Sequence, residues 1–202
     1  VRRLRTEVEM RQALENEEFE LYYQPKISIK TGKVVGAESL IRWHHPERGF
    51  LAPNEFIGIA EDTGMISEIG SWVIRSACLA GAELNRQFDE RLQIAINISP
   101  RQFRDPNLIN TVRQSLRESQ LDAQQLEIEI TETMLMQDIS AAQIAVERFQ
   151  EIGVKLAIDD FGTGYSSLSY LKKFPINTVK VDRSFVMDIP GNQDDLAITR
   201  AV

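Results

Sequence analysis

From residue 19 onward the chain switches repeatedly between a two-residue and a helical hydrophobic period, and no other feature limits its fold as strongly. Residues 19–24 (FELYYQ) read as a strand stopped by Pro25, and residues 34–43 as a second. Lys30-Thr31-Gly32-Lys33 is a turn between them, so the two are close enough to form a hairpin. The pattern then changes. Residues 65–88 place Ile66, Ile69, Trp72, Val73, Ala77, Ala80 and Leu84 at helical spacing, and LQIAINI (92–98) follows as a strand. Leu108, Ile109, Val112 and Leu116 form a helical stripe with Pro106 in its first turn, before the strand LEIEI (126–130). Asp138 caps a helix that Gly153 closes, and residues 154–158 form the next strand. A short helix from Ser166 through Phe174 leads to a strand at 178–181, and another helix begins at Asp194. A hairpin followed by four strand–helix alternations predicts a parallel α/β architecture.

Composition narrows the class without naming a function. The 202 residues are 43% apolar and 26% charged, as in an ordinary globular domain. The formal net charge of −7 argues against duplex nucleic acid as a partner, because that interaction relies on Lys and Arg against phosphate. It leaves room for a small phosphorylated ligand, since bound metal reverses local charge. The single Cys78 has no internal partner, which permits a reducing cytoplasm. No apolar run approaches the roughly 18 residues of a membrane span. Ahead of the first strand, Thr6-x-x-Glu9 reads as a capping box. Residues 1–18 are therefore expected to be an N-terminal linker helix, and residues 19–202 a barrel-type domain.

The chemistry is written at the strand ends. Glu38 lies in VVGAESLIRW, Asn97 ends LQIAIN, and Glu129 ends LEIE. Asp159-Asp160 ends KLAIDD, and Lys180 with Asp182 ends TVKVD. From Asn97 on, these groups recur at intervals of roughly 20–30 residues, one strand–helix unit each. In a β/α barrel the C-terminal strand ends open on one face, where active sites are built. Any one of these acids could be a helix N-cap, but five oxygen donors at successive strand ends are not explained that way. Gathered together, Glu38, Asn97, Glu129, Asp159 and Asp160 would repel strongly. A hard divalent cation resolves the conflict, and with no His or Cys in the set Mg²⁺ or Mn²⁺ suits better than Zn²⁺. The adjacent pair Asp159-Asp160 is suited to bridging two ions. Two metals about 3.5–4 Å apart are a device for in-line phosphodiester hydrolysis. Lys180 would add positive charge beside the attacked phosphate or the attacking water.

Other eye-catching residues carry less. His44 and His45 are adjacent on what reads as a loop after Trp43. Neighbouring side chains on an extended chain diverge, so a solvated or locally bonded role is expected of them. Cys78 falls on the apolar helix face, and Trp43 and Trp72 read as packing residues.

At these residues the chain resembles the EAL domain family of cyclic di-GMP phosphodiesterases. The matching stretches are YYQP (22–25), ESLIRW (38–43), INIS (96–99), EITE (129–132), DDFGTGYSSL (159–168) and KVD (180–182). The resemblance implies a modified (β/α)8 TIM-like barrel with an antiparallel first strand. It also implies hydrolysis of cyclic di-GMP to linear pGpG with two Mg²⁺ or Mn²⁺ ions, and Ca²⁺ that supports binding but not turnover. Carried over by position, Glu38, Asn97, Glu129 and Asp159 resemble metal ligands, with Asp159 bridging and Asp160 on the second ion. Lys180 matches the lysine near the nucleophilic water, and Asp182 supports it. Glu132 resembles the glutamate that anchors the loop after Asp160, coupling dimerisation and ligand binding to metal binding. Gln24 and Arg42 match substrate contacts, with Arg42 suited to phosphate.

Two departures accompany the resemblance. The signature triplet is Glu-Ser-Leu, not Glu-Ala-Leu, and strand alternation puts Ser39 on the face opposite Glu38, Leu40 and Arg42. The family's next motif, an acid-bearing seventh strand, is not reached by Val202. A (β/α)8 barrel takes about 250 residues, so C-terminal strand–helix units are expected to be missing. The resemblance implies a cytoplasmic domain, a homodimer through the barrel and an upstream GGDEF or sensory domain, in a parent protein that could be membrane-anchored. The second reading is a sensor that holds cyclic di-GMP without cutting it. A third is a protein-interaction barrel without a nucleotide.

Overall fold

A computed structural model describes residues 2–88, 91–162 and 174–192, together with Leu196 and Thr199. The chain divides into two compact units, residues 1–126 and 127–202.

The first unit opens with helix α1 (Arg2–Glu15), then β1 (Phe19–Ile27) and β2 (Val34–His45) in antiparallel register. Phe19 stands opposite Trp43, Tyr22 opposite Leu40 and Gln24 opposite Glu38. The expected turn forms, with the Gly32 amide donating to the Ser28 carbonyl at 2.7 Å and Gly32 at φ +70°. Pro25 does not stop the strand. It pairs with Ala37, and among the described residues β1 borders only β2, so the missing N–H lies at a sheet edge.

A short strand β3 (Gly49–Leu51) returns antiparallel onto residues 43–45. The sequence reading put His44 and His45 on a loop; both lie in β2, because β3 extends its pairing. They do diverge. His44 is exposed and bonds Glu20 Oε2 through Nε2 at 2.8 Å. His45 is buried, and its Nδ1 accepts the Glu47 and Arg48 amides at 3.1 and 3.3 Å. Its Nε2 lies 3.5 Å from Glu9 Oε2 on α1.

Helix α2 (Ile57–Thr63) precedes the long α3 (Ile66–Phe88), whose buried stripe includes Ile69, Ile74, Ala77 and Cys78. Burial pushes the Cys78 thiol up to about 12, as expected of a core cysteine. Strand β4 (Gln93–Asn97) lies parallel to β2, with Glu38 opposite Ala95. The two backbones meet closely at Gly36, where a Cβ would fall 2.4 Å from the Gln93 carbonyl oxygen. After β4 come α4 (Pro100–Phe103), capped by Ser99, and α5 (Leu108–Ser119). Pro106 precedes the Asn107 cap of α5 instead of entering its first turn.

The alternation of β2 sorts its side chains. Ser39, Ile41, Trp43 and His45 are buried, whereas Glu38, Leu40, Arg42 and His44 lie on the other face. On the buried face Trp43 packs against Phe19 and Phe56 at 5.4 and 5.5 Å between ring centroids. Its Nε1 donates to Glu18 at 3.0 Å. Helix α1 joins this core through Met10 and Ala13. Thr6, read as an N-cap, instead lies buried inside α1, which starts before it. A cap is only one use of a threonine, and here burial of the helix face takes precedence.

The second unit carries β5 (Leu126–Thr131), α6 (Glu132–Gln137), α7 (Ile139–Ile152), β6 (Lys155–Phe161) and β7 (Thr178–Val181). Strands β5, β6 and β7 are mutually parallel in that order. Asp138 caps α7, accepting the Ala141 amide at 3.0 Å, and Gly153 ends it in the left-handed region. Its core is Ile128 and Ile130 of β5, Leu156, Ala157 and Ile158 of β6, and Val146 and Phe149 of α7. The helix expected from Ser166 lies outside the described residues. So does most of the one expected from Asp194, of which Leu196 and Thr199 are helical.

Ser39 is the residue at which this core departs from the Glu-Ala-Leu pattern. Its Oγ is buried with no hydrogen-bond partner among the described residues, and an unpaired buried hydroxyl costs about 1 kcal/mol or more. Ser39→Ala should therefore raise the unfolding free energy by about 1 kcal/mol in urea titration. A loss of stability would show that the hydroxyl is satisfied.

Candidate active site

In the first unit the polar face of β2 and the end of β4 present a small constellation. Asn97 Nδ2 donates to Glu38 Oε1 at 2.7 Å, so the two metal-ligand candidates of this unit meet directly. Parallel pairing of β2 and β4 puts both at the C-terminal side of the β4 register. Gln24 is the cross-strand partner of Glu38. Arg42 lies two pairs along the same face, its guanidinium carbon 5.5 Å from the Tyr22 ring centroid. Ser39 points the other way into the core, as alternation requires.

The second unit gathers the remaining acids. The Glu129 side chain is fully buried at the end of β5. Lys180 of β7 donates its Nζ to Glu129 Oε2 and lies 3.1 Å from Asp159 Oδ2. One ammonium thus serves two carboxylates from neighbouring strands. Parallel pairing brings them together by placing Glu129 opposite Ala157 and Thr131 opposite Asp159.

Consecutive strand residues face opposite ways, so Asp159 and Asp160 in a regular strand could not both address one centre. The structure contains a bulge there. Strand β6 advances from Ile158 to Phe161 while β7 advances only from Val179 to Val181. Asp160 takes φ +53°, a conformation uncommon outside glycine but tolerated by Asp, and its amide donates to Asp159 Oδ1 at 3.0 Å. The extra residue re-aims the pair. Burial, with repulsion from Asp159 and Asp182 that Lys180 only partly offsets, raises the Asp160 carboxyl above its usual range. Asp182 goes the opposite way. The Ser184 hydroxyl and the Ser184 amide, the latter at 2.9 Å, both donate to it and lower its pKa despite some desolvation.

Glu132, the first residue of α6, is buried, and its Oε2 accepts the Gly162 amide at 3.2 Å. It therefore grips the backbone two residues after Asp160. Gly162 sits at φ +101°, and a Cβ there would meet Phe185 at 2.7 Å. The rest of the loop that begins at Gly162 is outside the described residues.

The sequence reading missed the buried Glu127, whose Oε2 accepts Thr178 Oγ1 at 2.7 Å. LEIEI suggests alternation, but every residue from Leu126 to Ile130 is buried, so Glu127 needs an internal partner. Two acids in a strand covered on both faces would have been the signal.

The acids of the second unit suit a hard divalent cation on their own chemistry. They are carboxylates, without sulfur or imidazole beside them, and Asp160 is pushed up by burial and by its neighbours. The ammonium of Lys180 already supplies cationic charge to two of the carboxylates. No helix among the described residues is long and apolar enough to cross a membrane.

Comparisons with known proteins place this geometry in a family. The family model described as EAL domain matches residues 7–202. The cyclic di-GMP phosphodiesterase NbdA of Pseudomonas aeruginosa is 45% identical over 199 residues, covering 98% of this chain and 25% of that protein. The bifunctional diguanylate cyclase/cyclic di-GMP phosphodiesterase MucR of the same organism is 40% identical over 200 residues, covering 96% of this chain and 28% of that protein. The chain thus spans about a quarter of the length of these curated relatives. The solved structure of the PaMucR phosphodiesterase in complex with c-di-GMP superposes with a TM-score of 0.91 at 39% identity, covering 98% of this chain and 80% of that one. The expected fold class, parallel α/β of the modified TIM-barrel type with an antiparallel first strand, is the one these structures have. With its motifs, its strand pairing and a family match over nearly the whole sequence in agreement, the chain belongs to the EAL domain family.

Proposed function

We propose that the chain is the cyclic di-GMP phosphodiesterase part of a larger signalling protein, opening one phosphodiester bond to give pGpG. The observation that carries this is Lys180 bridging the strand-end acids Glu129 and Asp159, beside a bulge that re-aims Asp160. Support comes also from relatives named as cyclic di-GMP phosphodiesterases and from a neighbour solved with c-di-GMP. Glu38, Asn97, Glu129, Asp159 and Asp160 are the proposed ligands of two Mg²⁺ or Mn²⁺ ions. When bound, such ions neutralise phosphate charge and generate a nucleophile from water at neutral pH.

The chain's own groups have separate tasks. Arg42 binds a phosphate and Gln24 orients the ligand beside it. Lys180 holds positive charge next to the attacking water, and Asp182 keeps a negative charge within its reach. Glu132 fixes the loop backbone at Gly162. Ca²⁺, larger and less demanding of geometry, permits binding but not turnover. An upstream GGDEF or sensory domain, a homodimer through the barrel and a cytoplasmic site complete the proposal. The bifunctional naming of MucR favours the first of these.

The direct test is to incubate the full-length protein with cyclic di-GMP and Mg²⁺ and to follow pGpG by chromatography. Binding without product would replace this reading with the sensor. Glu38→Ala should abolish turnover and leave the circular dichroism spectrum intact; surviving activity would refute the proposed metal set.

Two stability measurements address the metal independently of turnover. Lys180→Met leaves the Glu129 carboxylate buried without its ammonium, so metal-free unfolding should cost about 3 kcal/mol less. Mg²⁺ should then stabilise this variant more than the natural chain, and an equal Mg²⁺ effect on both would separate Lys180 from the metal site. Asp160 ionises less readily folded than unfolded, so the folded state holds the extra proton. Metal-free stability should fall as pH rises from the ordinary carboxylate range through the raised Asp160 titration, and Asp160→Asn should remove that fall. Identical urea-derived pH profiles for the two proteins would count against the repulsion.

A further inference from the structure

The polar face of the β1–β2–β3 sheet carries an aromatic surface that metal chemistry does not use. Tyr22 stands opposite Leu40 and Phe50 opposite His44 in the strand register. Their rings lie 5.7 Å apart at 53°, and they remain 44% and 50% exposed. Neither ring is needed for the core, which Phe19, Trp43 and Phe56 fill on the opposite face. Both are held in place. His44 meets Phe50 edge-on at 5.5 Å and is itself fixed by Glu20 at 2.8 Å. Arg42 stands over Tyr22 at 5.5 Å.

Exposed rings beside a guanidinium suit a flat π-system joined to a phosphate. A ring face offers stacking to any base, and the guanidinium offers paired donors to phosphate oxygens. Two rings flanked by Glu20, His44 and Arg42 present too little apolar area for a protein partner, which takes roughly 800 Å² a side. The pair also adjoins Gln24 and Arg42, which face the same way on the same two strands.

We infer that Tyr22 and Phe50 form a stacking platform for one purine base of the cyclic dinucleotide, with the adjoining phosphate on Arg42. This rests on the ligand assigned under the proposed function. The platform supplies affinity without base hydrogen bonds, so any aromatic side chain at either position preserves it.

The test is calorimetric titration of the full-length protein with cyclic di-GMP in Ca²⁺, which holds the ligand without turnover. Tyr22→Leu and Phe50→Leu should each raise the Kd about tenfold or more. Tyr22→Phe and Phe50→Tyr should stay within about twofold of the natural chain. Melting temperatures should not move, because both rings are half exposed. Leucine variants that bind like the natural chain overturn the platform and leave the phosphodiesterase reading standing. Natural protein that fails to bind cyclic di-GMP removes the ligand and the platform together. If Tyr22→Phe loses as much as Tyr22→Leu, the hydroxyl and not the ring face makes the contact, and stacking is refuted.

Discussion

Glu129 has a fully buried side chain, and a carboxylate taken out of water costs several kcal/mol unless charge is returned to it. Lys180 returns that charge and shares it with Asp159. The three residues come from three neighbouring parallel strands, so their meeting fixes the register of β5, β6 and β7 at the functional end. Slippage by one residue would turn Glu129 or Lys180 to the other face and strand the buried acid. Two residues back on the same strands, and on the same face, Thr178 and Glu127 form a second polar contact at 2.7 Å. The register is thus held by two successive polar pairs.

The bulge follows from the same electrostatics. Asp160 is raised by burial and by Asp159 and Asp182, so crowding three carboxylates has a standing cost. A backbone at φ +53° adds to it, although Asp bears that conformation better than most residues. Strain and repulsion thus meet at one point of an otherwise regular strand, the point at which the metal ions are proposed to bind. Glu132 restrains the backbone just beyond, through Gly162.

Much of this was legible in the sequence because the two hydrophobic periods are strong. The strands and long helices follow from them, and the acids stood out as polar residues ending apolar runs. What escaped the sequence depended on partners far along the chain. Nothing local announces β3, which exists because residues 49–51 can pair with the end of β2. That pairing also turned His44 and His45 from loop residues into strand residues. Thr6 looked like a cap because capping is a local rule, whereas burial of one face of α1 is not. The bulge was hidden for a similar reason. Asp-Asp at a strand end gives no sign that β6 will advance three residues against two in β7. Tyr22 and Phe50 lie 28 positions apart and share a surface only through two antiparallel pairings.

The two units differ in how function bears on stability. In the first, strand β2 separates the two by face. Trp43 and Ile41 hold the core while Glu38 and Arg42 lie half-buried on the opposite face, so changes there bear less on packing. The Ser39 departure illustrates the converse, since its hydroxyl lies among the core residues and away from Glu38. In the second unit no such separation exists. Glu129 and Glu132 are buried and tied to other elements, so each is at once a functional candidate and part of the fold. Loss of the proposed activity in a β2 polar-face variant therefore reports on binding or catalysis more directly than on folding. The same loss at Glu129 or Glu132 has meaning only alongside a measurement of folding.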